Sequence, residues 1–344
     1  MLEIDGSHGE GGGQLLRTAV ALAAITGRAI RVRGIRARRD KPGLAPQHLA
    51  AVRAVAALAA GRTTGLELRS DTLEFHPGGI AGGSHRFDVG TAGSVTLVMQ
   101  ALLPVMIAGG KPCTATVVGG TDVRAAPPLD YLGEVLLPLL RRMGADARLS
   151  VRRRGYYPRG GGEVEVAVLP AKDIRPLDTG TAGTLQTIAG VAHVGNLPEH
   201  IATRMRSSAL DRLDPPLRAR AEIAVRALGP DEATGQGGAI VAWASTGRTI
   251  VGAGRVAERG VRAETLGAAV GDELAADLGA GATLDVHAAD QLLVYLALAR
   301  GGSFATRSLS SHAQTAIWLI GQFLPVDFEV STAGSLTRMA VVPR

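Results

Sequence analysis

The chain has 344 residues, 46% hydrophobic and 20% charged, a globular balance with room for two domains or for one domain carrying an insertion. Net charge is +6 and positive charge is almost all arginine, because Lys41, Lys111 and Lys172 are the three lysines; this favours a polyanionic partner unless it reflects simple arginine bias. The single cysteine, Cys113, excludes an intramolecular disulfide framework and a cysteine-cluster metal site, and aromatics at 3% argue against an extended base-stacking platform.

The first elements follow from hydrophobic periodicity and turn residues. A short strand over 2–5 leads through a glycine-rich turn to a helix over 14–26. Residues 29–34 alternate Ile30 and Val32 with Arg31 and Arg33, which predicts a strand with one charged face. A helix over 46–60 and strands over 66–68 and 72–76 complete a β-α-β-α-β-β unit. The order then returns: strand 86–89, a glycine turn, helix 95–106, strand 114–118, helix 129–143, and strands 147–151 and 163–168. Two units with one order suggest duplication. The apolar run 95–108 contains Gln100 and Pro104 and is too short for a bilayer. The amino-terminal MLEIDGSHGEGGG has no basic segment leading into an apolar one, so a cytoplasmic protein is expected.

From about 177 to 278 the character changes. A strand-like stretch 184–194, a helix 198–213, a strand pair 223–225 and 239–244 around the loop 229–238, and a helix 263–278 read as a small inserted α/β domain. Helices 288–299 and 312–323 with strands 304–307, 327–330 and 337–342 then complete a third unit. The predicted fold is α/β with layered helix and sheet. Residues 1–176 and 279–344 would form the large domain and 177–278 the insertion.

Several stretches carry chemistry. Gly9-Glu10-Gly11-Gly12-Gly13-Gln14 precedes a helix bearing Arg17; it reads either as a tight turn or as a loop that lets backbone approach an anion. It fits neither the dinucleotide fingerprint nor the phosphate-binding loop, and Glu10 in it is a hard oxygen donor suited to magnesium. Arg31, Arg33, Arg36, Arg38, Arg39 and Lys41 precede Gln47-His48, and Arg152, Arg153, Arg154 and Arg159 form a second cluster. Each cluster suits phosphate, or is simply solvated charge. Asp290-Gln291 falls near a helix start, where Asp290 alone reads as a cap.

No nucleophilic-serine elbow, H-E-x-x-H motif or cysteine–histidine pair is present, and Lys41 is followed by Pro-Gly-Leu rather than by a lysine nucleotidyltransferase signature. The candidate nucleophile is His312. Ser311 with Gln314 makes a capping-box pattern that puts His312 at the first position of a helix. Free N–H groups and the partial positive charge there disfavour imidazolium and attract phosphate. The plainer reading is a polar residue on an exposed first turn.

Taken together, the motifs resemble the RNA 3′-terminal phosphate cyclases over nearly the whole chain. They are DGSHGEGGGQLLR (5–17), IRARRDKPGLAPQH (35–48), FDVGTAGSVTLVMQALLP (87–104), GGTDVRAAPPLDYL (119–132), GYYPRGGGEV (155–164), ADQLLVYLALA (289–299) and SHAQT with FLPV (311–326). The resemblance implies three repeated units in a large domain with a smaller α/β domain inserted in the third. It also implies ATP as co-substrate, Mg2+ or Mn2+, and an RNA ending in a 3′-phosphate. The reaction implied runs through a histidine–AMP intermediate to a 2′,3′-cyclic phosphate. By position His312 matches the adenylylated histidine and Glu10 the metal-binding glutamate. Arg17, Arg36, Arg39 and Gln47 match the phosphate and RNA-end site. Gln100, Pro127, Asp290 and Gln291 fall where the family holds ATP, and His287 stands near the adenine where an aromatic residue is expected.

Two other readings share the fold. A noncatalytic cyclase-like scaffold of RNA processing would lack the histidine, and an enolpyruvyl-transferase-like enzyme would call for lysines that this chain scarcely has.

Overall fold

The computed structural model describes residues 1–90, 92–170 and 173–344. In the first unit β1 (Leu2–Asp5) and β2 (Ile30–Arg33) run parallel, joined by α1 (Gly13–Thr26). After α2 (Pro46–Leu58), β3 (Arg62–Thr64) and β4 (Leu73–His76) close a sheet of order β1-β2-β4-β3. Leu16, Ala19, Val20 and Ala23 give α1 a buried stripe, and Gly27 ends it in the left-handed conformation (φ 68°) that glycine tolerates without steric cost.

The second unit repeats this path. β5 (Gly83–Asp88) lies parallel to β6 (Cys113–Gly119) across α3 (Val95–Ala108), and β6 pairs with β8 (Gly162–Val168), itself antiparallel to β7 (Ala147–Gly155). Between β6 and β7 the chain forms α4 (Leu129–Tyr131), a π-helical turn (Leu132–Leu136) and α5 (Leu137–Arg142). Burial alternates strictly along β6 and β8, so one sheet face meets the helices. α3 is apolar almost all round, as a helix enclosed on every side must be.

The insertion follows β9 (Leu177–Asp178). It contains β10 (Leu185–Gly195), α6 (His200–Leu210), α7 (Pro215–Arg218), β11 (Ala221–Leu228), β12 (Ala233–Thr234), β13 (Gly237–Thr246), β14 (Ile250–Val256) and α8 (Ala263–Ala280). Its sheet has the order β11-β10-β13-β14, and α6 and α8 cover it around a core running from Ile188 to Leu274. The third unit resumes with α9 (Val286–Leu298), β15 (Gly302–Thr306), α10 (Ser311–Phe323), β16 (Val326–Ala333) and β17 (Leu336–Pro343). Its sheet order, β9-β15-β17-β16, matches position for position the β1-β2-β4-β3 and β5-β6-β8-β7 paths. Helices α1, α2, α3, α9 and α10 pack against one another between these sheets.

The structure departs from the predicted elements at four points. β3 lies at Arg62–Thr64 rather than 66–68, because Gly65 turns left-handed (φ 75°) and leaves Leu68 exposed. β9 pairs with β15 in the third unit's sheet, so Leu177 and Asp178 belong with that sheet and not with the insertion's own. β12 pairs with β7, which ties the insertion to the second unit's sheet edge. β14, unforeseen in the sequence, is the insertion's edge strand against β13.

Candidate active site

α10 places the candidate nucleophile, but its cap is one residue earlier than the capping-box pattern implied. Ser310, not Ser311, is the N-cap: its Oγ accepts from Ala313 N at 3.0 Å and donates to Asp290 Oδ1 at 2.7 Å. Asp290 in turn does not cap α9, a role filled by Asp285, which accepts from the backbone N–H groups of His287 and Ala288 at 3.0 Å each. Asp290 instead faces α10 from inside α9. Burial pushes its carboxyl up to about 6, partly opposed by the Ser310 hydrogen bond.

The glycine-rich loop of the first unit docks on α10. His8 stacks on Trp318 with ring centroids 3.7 Å apart, and Glu10 N faces Thr315 Oγ1 at 3.5 Å. Gly9 is left-handed (φ 59°), and a Cβ there would overlap the Thr315 hydroxyl. This seating brings Glu10 Oε2 to 2.5 Å from His312 Nδ1 and within 3.3 Å of Ser311 Oγ, while Arg39 bonds the other carboxylate oxygen. Nδ1–H donating to Glu10 leaves Nε2 with the lone pair. Burial lowers the proton affinity of the His312 ring, and Arg17, Arg39 and His287 add to this against the opposing pull of Glu10. Burial and the neighbouring arginines thus disfavour the imidazolium form of His312, while Glu10 opposes them.

A cleft runs on from this point. Glu10, Gln14, Thr18, Thr315 and Ala316 line it beside His312; Arg17, Gln100, Pro104, Asp290 and Gln291 line its continuation. Gln100 bridges the three units, accepting from Arg17 at 3.4 Å and donating to Gln291 Oε1 at 3.1 Å. Arg17 is buried with no carboxylate partner among the described residues, and its Nε has no hydrogen bond. Burial lowers it to about 10, so it stays cationic. A buried, unpaired guanidinium lining a cleft is a site for an anion.

In the sequence His48 stands out only as the neighbour of Gln47. It is buried beside Gly13, accepts from Ala45 N at 3.1 Å through Nδ1, and is driven down to about 3 by burial and by Arg17 and Arg36. It is a neutral spacer under the glycine loop. Gln47 is half-buried one residue earlier on α2. Arg36 adopts φ 55° and spends its guanidinium on the carbonyls of Lys41 and Gly43, at 2.6 and 3.1 Å, fixing the loop that carries Arg39. Pro127 accepts from Thr96 Oγ1 at 2.9 Å, and His287 is exposed, edge-on to Tyr131.

Much of the remaining arginine is structural. Arg31 pairs with Glu3 and Glu74, and Arg33 with Glu3. Arg152 bridges Glu163 and Glu165 across the open face of β8, while Arg154 is buried between Asp122 and Asp130. Asp122, Asp130 and His193 converge as metal ligands would. The Arg154 guanidinium lies among them, 3.0 Å from Asp122 and 2.5 Å from Asp130, and already supplies the positive charge.

Comparison with known proteins fits this arrangement. A family model described as RNA 3′-terminal phosphate cyclase matches residues 8–330. The chain belongs to this family. It is 55% identical to a Nitrosospira multiformis protein named RNA 3′-terminal phosphate cyclase, over all of this chain and 97% of the relative. Proteins of the same name from Methanopyrus kandleri and Pyrobaculum neutrophilum are each 42% identical, over 96% and 97% of this chain and 95% and 96% of theirs. Among the described residues no helix is long and apolar enough to cross a membrane.

Proposed function

We propose that this chain is a cytoplasmic enzyme that converts an RNA 3′-phosphate into a 2′,3′-cyclic phosphate, using ATP and releasing AMP and pyrophosphate. The observation that carries the reading is the pairing of Glu10 with His312 Nδ1 at 2.5 Å, beside a cleft that holds the unpaired cation Arg17. With Nδ1–H committed to Glu10, Nε2 attacks the α-phosphorus of ATP. A P–N bond forms, the bond from that phosphorus to the bridging oxygen breaks, and pyrophosphate leaves. An oxygen of the RNA 3′-phosphate then attacks the same phosphorus and the P–N bond breaks, returning the histidine. The vicinal 2′-hydroxyl attacks the activated RNA phosphorus, loses its proton to solvent, and expels AMP. Nucleophilic catalysis divides one difficult activation into these steps.

Arg17 and Arg39 would neutralise phosphate charge, and Arg36 and Gln47 would shape the side that receives the RNA end. Gln100, Asp290 and Gln291, which line the continuation of the cleft, would hold the nucleotide together with Pro127 and His287. A single carboxylate, Glu10, suits Mg2+ or Mn2+ that takes its other ligands from water and phosphate; such an ion would supply charge neutralisation at the triphosphate. The α6–α8 unit with its own sheet and core is proposed as a separate inserted domain. The test is an RNA bearing a 3′-phosphate incubated with ATP and a divalent metal. A phosphatase-resistant end is expected, with no product from the 3′-hydroxyl RNA. Retention of a phosphatase-sensitive end would refute the reading.

A further inference from the structure

The insertion touches elements that carry the residues proposed to hold the nucleotide, through two buried polar junctions. At the first, Gly252 N on β14 donates to Asp285 Oδ2 at 2.9 Å. Asp285 is the N-cap of α9, the helix carrying His287, Asp290 and Gln291, and its other oxygen accepts from Tyr131 OH at 2.6 Å. One carboxylate thus joins the insertion, the second unit and the third unit. The approach requires glycine, because a Cβ on Gly252 would meet Val135. Two residues on, Gly254 packs the same strand against Pro128, next to Pro127.

At the second junction, His193 on β10 sits between Tyr156 OH (3.0 Å from Nδ1) and the Arg154 guanidinium (2.9 Å from Nε2). Arg154 holds Asp122, and Asp122 Oδ1 accepts from Leu129 N at 3.0 Å. This contact clasps the loop 122–129 that presents Pro127, a loop whose Ala125 is left-handed (φ 59°). Asp122 is fully buried, so the clasp holds only while its charge stays paired.

We infer that the inserted sheet is a brace that fixes the two walls of the nucleotide site, with Tyr131, Gly252, Asp285 and His193 as positioning residues for ATP. This rests on the placement of the nucleotide proposed above. The two walls, the Pro127 loop and the start of α9, belong to different units, and the insertion binds both through groups that never face the cleft.

The test is steady-state kinetics of Tyr131→Phe and Gly252→Ala on the full chain, with KM measured separately for ATP and for RNA 3′-phosphate. Loss of the Tyr131 hydrogen bond, or the clash of the Gly252→Ala methyl with Val135, should raise KM for ATP about three- to tenfold, leaving KM for RNA and kcat at saturating ATP within about twofold. ATP should also raise the melting temperature of each variant less than that of the parent. Unchanged KM for ATP in either variant, or an equal rise in both KM values, would overturn the inference. Tyr131→Phe keeps the ring and guards against a variant that fails to fold. Covalent labelling of the parent chain by α-labelled ATP serves as the separate control. Its absence would sink the proposed reaction, whereas normal labelling with unchanged KM sinks only the brace.

Discussion

Two histidines show how burial and partners set the roles of chemically identical side chains. His312 meets a carboxylate at Nδ1, and burial with nearby arginines lowers its proton affinity against the pull of that carboxylate. Glu10→Gln should lower the rate of covalent labelling by between about 10²- and 10⁴-fold, because the amide can donate to Nδ1 and so place the proton on Nε2. A single-turnover label assay reads this directly, and a rate within twofold of the parent would remove Glu10 from the mechanism. His48 has no such partner and titrates near 3 when folded, against an ordinary value of 6.5. Its folded pKa is depressed, so the unfolded chain takes up the proton first. The stability it confers is whole above pH 6.5 and declines as pH falls toward about 3. His48→Asn keeps an acceptor for Ala45 N and should flatten that acid slope in urea denaturation measured across the window; an unchanged slope would show that other groups carry it.

Elements deliver these side chains through their ends. Ser310 caps α10 and also holds Asp290 on α9, so one hydroxyl fixes the helix start and the spacing of two helices. Ser310→Ala should cost about 1 kcal/mol of stability and leave the Asp290 carboxyl without the bond that lowers its pKa, while Ser310→Thr should retain most of both. Chemical denaturation of the pair checks this, and equal stability of Ala and Thr variants would contradict it. The helices and most strands were legible from pattern: α1 and β6 bury a consistent set of positions, and α3 is one long apolar run. The cap was misplaced because Ser310 and Ser311 are both good caps, and only the third residue's N–H decides between them. β3 was misplaced because Leu66 and Leu68 look strand-like, whereas Gly65 ends pairing before them. Asp285 and Tyr131 were missed because their importance lies in a contact between residues 154 positions apart.

At the scale of the molecule, three sheets of one strand order bring a loop and helix α1 from the first unit, a helix from the second and two helices from the third to one cleft. Motif order in the chain disclosed the family and the duplicated order of elements. It did not disclose which arginines are free, since Arg31, Arg152 and Arg154 read in sequence like Arg17 and differ only in the carboxylates that the fold sets beside them. The segment read from sequence as a small inserted domain is tied back to the main body twice: β12 pairs with β7, and β14 meets Asp285. The central claim is covalent attachment of AMP to His312. It is tested most directly by incubating the chain with α-labelled ATP and a divalent metal. The expected result is acid-labile, alkali-stable label on the protein that is lost in His312→Ala and discharged by RNA bearing a 3′-phosphate. Label that survives His312→Ala, or no label on the parent chain, would contradict it.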